Sequence, residues 1–143
     1  MAELNEAWTS IVLAEAAVAY AYAVAGPRLP DDEQGSAKTL YDSHEQARDE
    51  ALIALTAGGG PVPIIPTFFE LPDPVATPPQ ARALLALVES RLATSYADLL
   101  AALPIAERPD GLDHLLLATN RALQWGALPG AWGATVPQPD QGS

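Results

Sequence analysis

A chain of 143 residues is long enough to fold as one domain that buries roughly two thirds of its unfolded surface, and having no cysteine it does so without disulfides, thiol nucleophiles or thiolate metal sites. A net charge of −11 and a pI near 4.3 exclude a sequence-independent nucleic-acid or anionic-membrane binder, because phosphate contacts need clustered Lys and Arg. Alanine supplies roughly a fifth of the chain while β-branched and aromatic residues are scarce, so an all-α protein is expected.

The first helix is expected over Glu3 to Ala25, with Glu3 and Glu6 near its positive end and Gly26-Pro27 as its stop. At 100° per residue Leu4, Trp8, Ile11, Val12, Glu15, Ala19 and Tyr22 share one face, with Glu15 in its middle. Leu13, Tyr20 and Val24 make the other side apolar too, which calls for a second contact, from another part of the chain or from a partner subunit. The apolar run Ile11 to Ala25 is shorter than the ~20 residues a membrane span needs and carries Glu15. The acidic start MAELNEAW lacks the cationic leader of a secretory signal. A cytoplasmic protein is expected.

A second helix is expected from an N-cap at Ser36 to the stop Gly58-Gly59-Gly60-Pro61, with Leu40, His44, Ala47, Ala51 and Leu55 inward. The stretch from Gly58 to about Pro78 holds too many prolines for a helix or a central strand. At ~3.3 Å per residue it can run the length of a ~30 Å helix, with Ile64, Ile65, Phe68 and Phe69 to bury on the way. Thr77-Pro78-Pro79-Gln80 is a capping-box start for a third helix that reaches about Leu103. Its inner stripe reads Leu84, Val88, Leu92, Ser95 and Leu99, with Glu89 and Arg91 on the flanks. Asp110 is the expected cap of a fourth helix that runs to about Ala127 and buries Leu112, Leu116, Thr119 and Leu123, leaving His114 and Trp125 outward. The expected domain is residues 1–128, and residues 129–143 are expected to form a partly mobile Gly/Pro/Gln-rich tail in which only Trp132 and Val136 give a reason to dock.

Helices joined short, long, short are not a simple up-down bundle. A long link lets the second and third helices run parallel, which is the ferritin-like connection. The motifs HEQARDEAL at 44–52, AEAAVAYAYAVAG at 14–26 and RALQW at 121–125 followed by LPG at 128–130 resemble a family of uncharacterised actinobacterial ferritin-like proteins. That resemblance implies a ferritin-like four-helix bundle with a proline-rich crossover between helices 2 and 3. In the wider group, two metal ions are held by a Glu from each of two helices and a Glu-x-x-His pair from each of the other two. Glu15 matches one isolated Glu. Tyr41 and Gly111 stand three residues before His44 and His114 where Glu is needed, and Glu45-x-x-Arg48 ends in a guanidinium. A complete carboxylate-bridged iron or manganese site is therefore not expected, which leaves Glu15, His44 and Glu89 as weak candidates for a single metal.

Glu15 lies ten residues before the end of its helix and the 43–48 region about ten residues into the next, so an antiparallel pair brings Glu15, His44 and Arg48 to one height. The expected site is a buried polar network of these three, with Arg48 supplying the positive charge that metal supplies in relatives. The catalytic alternative has Glu15 or His44 acting as acid or base beside Tyr20, Tyr22 or Tyr41. Against it, no nucleophile elbow, phosphate loop, Rossmann glycine pattern or zinc HExxH pattern is present. The leading reading is a non-catalytic bundle with a degenerate site and no cofactor, dimerising through the second face of the first helix or through the crossover. The alternative is an atypical metal-binding protein or metal-dependent oxidoreductase.

Overall fold

The computed structural model describes residues 2–127, so the expected tail, with Trp132 and Val136, lies outside the described residues. Four long helices form: α1 (Ala2–Ala25), α2 (Asp31–Ala57), α3 (Pro78–Ala102) and α4 (Arg108–Gln124). Short 3-10 turns at Gly26–Arg28 and Ile105–Glu107 lead into α2 and α4. No strand occurs among the described residues.

Helix starts follow local chemistry more closely than the expected caps. α2 begins at Asp31 rather than after Ser36, because Pro30 stands at its N-cap and Asp31, Asp32 and Glu33 fill the first turn, where carboxylates offset the exposed amide dipoles. α3 has the expected capping box: Thr77 accepts from the Gln80 amide at 3.3 Å while the Gln80 side chain accepts from the Thr77 amide at 3.2 Å. α4 starts at Arg108 instead of after Asp110, with no side-chain cap, and ends at Gln124.

The helix directions follow from which residues meet. Asn5 near the start of α1 donates to the Gly58 carbonyl past the end of α2 at 3.1 Å, so these two are antiparallel. Tyr22 meets Glu89 and Glu15 meets Tyr96, so α3 also opposes α1. α2 and α3 therefore run the same way, and the paired hydrogen bonds from Arg82 to Glu33, at 2.7 and 3.1 Å, join their starting ends. Residues 58–77 make the long non-helical link, leaving α2 through Gly59 at φ 77°, a backbone angle that glycine adopts without a steric penalty. Within this link Phe68 and Phe69 each pack on Tyr20 with ring centroids 5.7 Å apart. That contact covers part of the second apolar face of α1. By length and mean hydropathy, 1.4 over its most apolar 18 residues, α1 could cross a bilayer, but half of that window is buried inside the protein.

The core lies where α1, α2 and α3 meet, with Ile11, Tyr22, Leu55, Leu85, Leu92 and Leu99 fully buried. Each such side chain contributes about 1.5–3 kcal/mol of burial. α4 docks on α3 with a different face from the expected one. Gly111, Ala118 and Ala122 are buried and Leu115 packs on the core, whereas Leu112, Leu116 and Leu123 are 45, 50 and 40% exposed. The true stripe has the same spacing, one residue earlier, which rotates the helix by about 100°. Small residues decide this, since they let the helix axes approach: a Cβ at Gly111 would lie 2.8 Å from Leu103 Cδ1.

Candidate functional site

Among the described residues the core buries three acidic or basic side chains, Glu15 on α1, His44 on α2 and Glu89 on α3, exposed by 1, 1 and 0%. Their placement follows from helical spacing. Glu15 and Tyr22 are seven residues apart on α1, and Glu89 and Tyr96 are seven apart on α3, so each pair lies on one face about two turns apart. Antiparallel packing of α1 on α3 then crosses the pairs. Tyr96 donates its hydroxyl proton to Glu15 Oε1 at 2.5 Å, and Tyr22 donates to Glu89 Oε1 at 2.8 Å.

His44 sits between the two carboxylates. Its Nδ1 is 2.6 Å from Glu15 Oε2 and its Nε2 is 2.6 Å from Glu89 Oε1. With a carboxylate oxygen at hydrogen-bond distance from each ring nitrogen, the surroundings of His44 favour an imidazole protonated at both positions over either neutral tautomer. Burial by itself would lower its pKa, but the hydrogen bonds to Glu15 and Glu89, reinforced by their charges, outweigh burial and push it up to about 9. Burial, then the neighbouring carboxylates, raise the hydroxyls of Tyr22 and Tyr96 well above the ordinary value of 10. Both stay neutral donors.

Trp125, just past α4, closes one side. Instead of pointing outward it donates its indole N–H to the Tyr22 hydroxyl at 2.8 Å. The Tyr22 ring in turn stacks on His44 with centroids 5.3 Å apart. His114 is half-buried, its ring parallel to that of Tyr96 at 4.9 Å.

Of the sequence-predicted network, Glu15 and His44 meet and Arg48 does not join them. Arg48 is one turn along α2 from His44 at the rim, 26% exposed, with Nε and Nη2 at 3.1 and 3.0 Å from Asp49 Oδ1. The reason is that both Glu15 oxygens are already satisfied by Tyr96 and His44, so a guanidinium would gain no bond there that offset its desolvation. The imidazole of His44 takes that place instead. Glu89, expected at the edge of its helix, occupies the second carboxylate position. Tyr41 donates to Glu45 at 2.7 Å and Tyr20 packs on Phe68 and Phe69, so neither reaches the site. Tyr96, Trp125 and the bridging place of Glu89 escaped the reading of the sequence; the seven-residue Glu–Tyr spacing repeated on two helices is the signal that could have found them.

Both nitrogens of His44 and three of the four carboxylate oxygens are engaged, and Glu89 Oε2 is buried with no partner among the described residues. Among the described residues no group of three or more His, Cys, Asp or Glu is arranged to hold a metal ion.

A family model described as a domain of unknown function (DUF4439) matches residues 7–137. The chain belongs to that family. A solved relative, the crystal structure of the conserved hypothetical protein rv2844 from Mycobacterium tuberculosis, is similar over 87% of this chain and 95% of its own, with a TM-score of 0.81 and 22% identity. At that identity the likeness establishes a common fold. No curated protein matches the chain. Family and relative agree on an actinobacterial, all-helical family of unknown function.

Proposed function

We propose that residues 1–128 form a ferritin-like four-helix bundle whose di-metal site is degenerate, and that the protein is non-catalytic, a proton on His44 doing structurally what metal ions do in the wider group. Residues 58–77 are then the proline-rich crossover that such a connection requires, a reading supported by α2 and α3 running the same way. The observation that carries the proposal is the imidazolium held between Glu15 and Glu89 at 2.6 Å on each side. A centred cation offsets two buried carboxylates and leaves no ring lone pair for a metal. The protein then works in the cytoplasm through its surface, as a homodimer. For the dimer face, the exposed Leu112, Leu116 and Leu123 of α4 support that helix, since part of the second face of α1 is taken by Phe68 and Phe69.

Metal analysis tests this directly. Protein expressed in medium supplemented with iron and manganese should carry no stoichiometric metal, and a near-stoichiometric metal that is lost in His44→Ala overturns the proposal. A monomer-sized mass in solution at high concentration would remove the dimer.

One observation favours a second reading, an atypical metal-binding protein or metal-dependent oxidoreductase of the ferritin-like group: Glu89 Oε2 is buried without a partner among the described residues. In that reading His44 loses its proton, and Glu15, His44 and Glu89 become the ligands. The same metal analysis decides between the two.

A further inference from the structure

α4 is held to the rest of the bundle on one side. No Cα of α4 comes within 8 Å of a Cα in α1 or α2, so its packing partner among the long helices is α3. The buried positions of α4, Gly111, Ala118 and Ala122, carry at most a methyl group and take little apolar surface out of water. Leu112, Leu116, Leu117 and Leu123 stay partly in water. The helix begins without a side-chain cap, and the 3-10 turn Ile105–Glu107 joins it to α3.

This lightly attached helix walls the buried network. Leu117, Ala118 and Arg121 line a cavity of about 180 Å³ together with Glu15, Leu92 and Tyr96, and Glu15 and Tyr96 are almost wholly buried. On that side α4 stands between the Glu15 carboxylate and water. Among the described residues, the hydrogen bond that ties this end of the chain to a helix other than α3 runs from the Trp125 indole to the Tyr22 hydroxyl, at 2.8 Å. Tyr22 donates in turn to Glu89. The bond that fastens α4 is therefore continuous with the network that α4 covers.

We propose that α4 is a gate with Trp125 as its latch: it swings off α3 as a unit about the Ile105–Glu107 turn, frees Trp125 from Tyr22 and opens Glu15 and Tyr96 to water, while α1, α2 and α3 stay packed. Proteins open in cooperative units, and a unit that buries little apolar surface opens at a lower free energy than the whole. The other three helices share the fully buried Ile11, Tyr22, Leu55, Leu85 and Leu92 and separate only when the domain unfolds. The gate is independent of whether a proton or a metal ion fills the network.

Because the chain has no cysteine, single introduced thiols report opening without background. The full chain carrying Ala118→Cys, on the inner face of α4, or Ala21→Cys, in α1, is alkylated with iodoacetamide without denaturant, and each rate is compared with the global stability of the same variant in urea. The thiol at position 21 should react only as fast as global unfolding allows, and the thiol at position 118 about 100-fold faster than its own global unfolding allows, or more. Should Ala118→Cys fail to fold, as judged by circular dichroism, Ala122→Cys supplies the same comparison. Adding Thr77→Ala, in a cap that survives the opening of α4, should speed the reaction at 21 about fivefold and leave 118 unchanged. Adding Trp125→Phe, which removes the latch bond, should speed both about fivefold. Labelling at 118 no faster than global unfolding, a Thr77→Ala effect equal at both positions, or a rate at 118 that Trp125→Phe leaves unaltered would each overturn the proposal. The metal content of the core is a separate measurement, so failure of the gate leaves the reading of the buried network standing.

Discussion

The charged state of His44 makes the stability of the protein depend on pH in a window where few other groups titrate. Its pKa stands at about 9 in the folded protein against an ordinary 6.5. A raised folded pKa favours the native state fully below the unfolded value, and that contribution is lost as pH rises through the folded value. Between pH 6.5 and pH 9 to 10 the native state should therefore lose roughly 3 kcal/mol, at about 1.36 kcal/mol per pH unit. For a domain of this size that is a fall of about 6–12 °C in melting temperature. Urea unfolding at pH 6, 7.5, 9 and 10 measures it, with His44→Gln as the reference whose profile should be flatter over that range. Nitrogen NMR of the imidazole should show both ring nitrogens protonated at pH 8. An imidazole that titrates near 6.5, with stability level from pH 7 to 9, would refute the imidazolium bridge. Above pH 10 a second loss should set in, because Tyr22 and Tyr96 keep their protons when folded and give them up when unfolded.

Glu15→Ala strands both His44 and Tyr96 in the core and should cost about 3–5 kcal/mol; a melting temperature unchanged within error would show that Glu15 does not hold the network. Thr77→Ala removes the capping box of α3 and should cost about 1 kcal/mol in urea unfolding, and a null result would mean that packing alone sets that helix start. At Gly111 a new Cβ meets Leu103 Cδ1 at 2.8 Å, so for Gly111→Ala an overpacking cost of about 1–3 kcal/mol outweighs a helix-propensity gain of about 1 kcal/mol, a net destabilisation of up to about 2 kcal/mol. A stabilised variant would refute the close approach of α3 and α4.

Alanine content, proline punctuation and apolar periodicity made four helices, their order and the long link after α2 legible in the sequence, because these are local properties of the chain. The facing of Glu15 and His44 could be read as well, since both lie at the centre of an apolar stripe and a short connection sets their heights. The remainder depended on rotation about helix axes, to which periodicity is nearly blind. Along α4, the stripe Leu112, Leu116, Thr119, Leu123 and the stripe Gly111, Leu115, Ala118, Ala122 have identical spacing. Hydrophobicity favours the first and close packing of backbones the second, and only the opposing surface of α3 decides between them. The same holds inside the core. The sequence by itself determined that a buried carboxylate and imidazole needed a compensating charge. Tertiary structure decided that His44 lies between Glu15 and Glu89 while the guanidinium of Arg48 stays at the rim, because Tyr96 and Glu89, 52 and 45 residues from His44 in the chain, arrive to complete the hydrogen bonds of the pair.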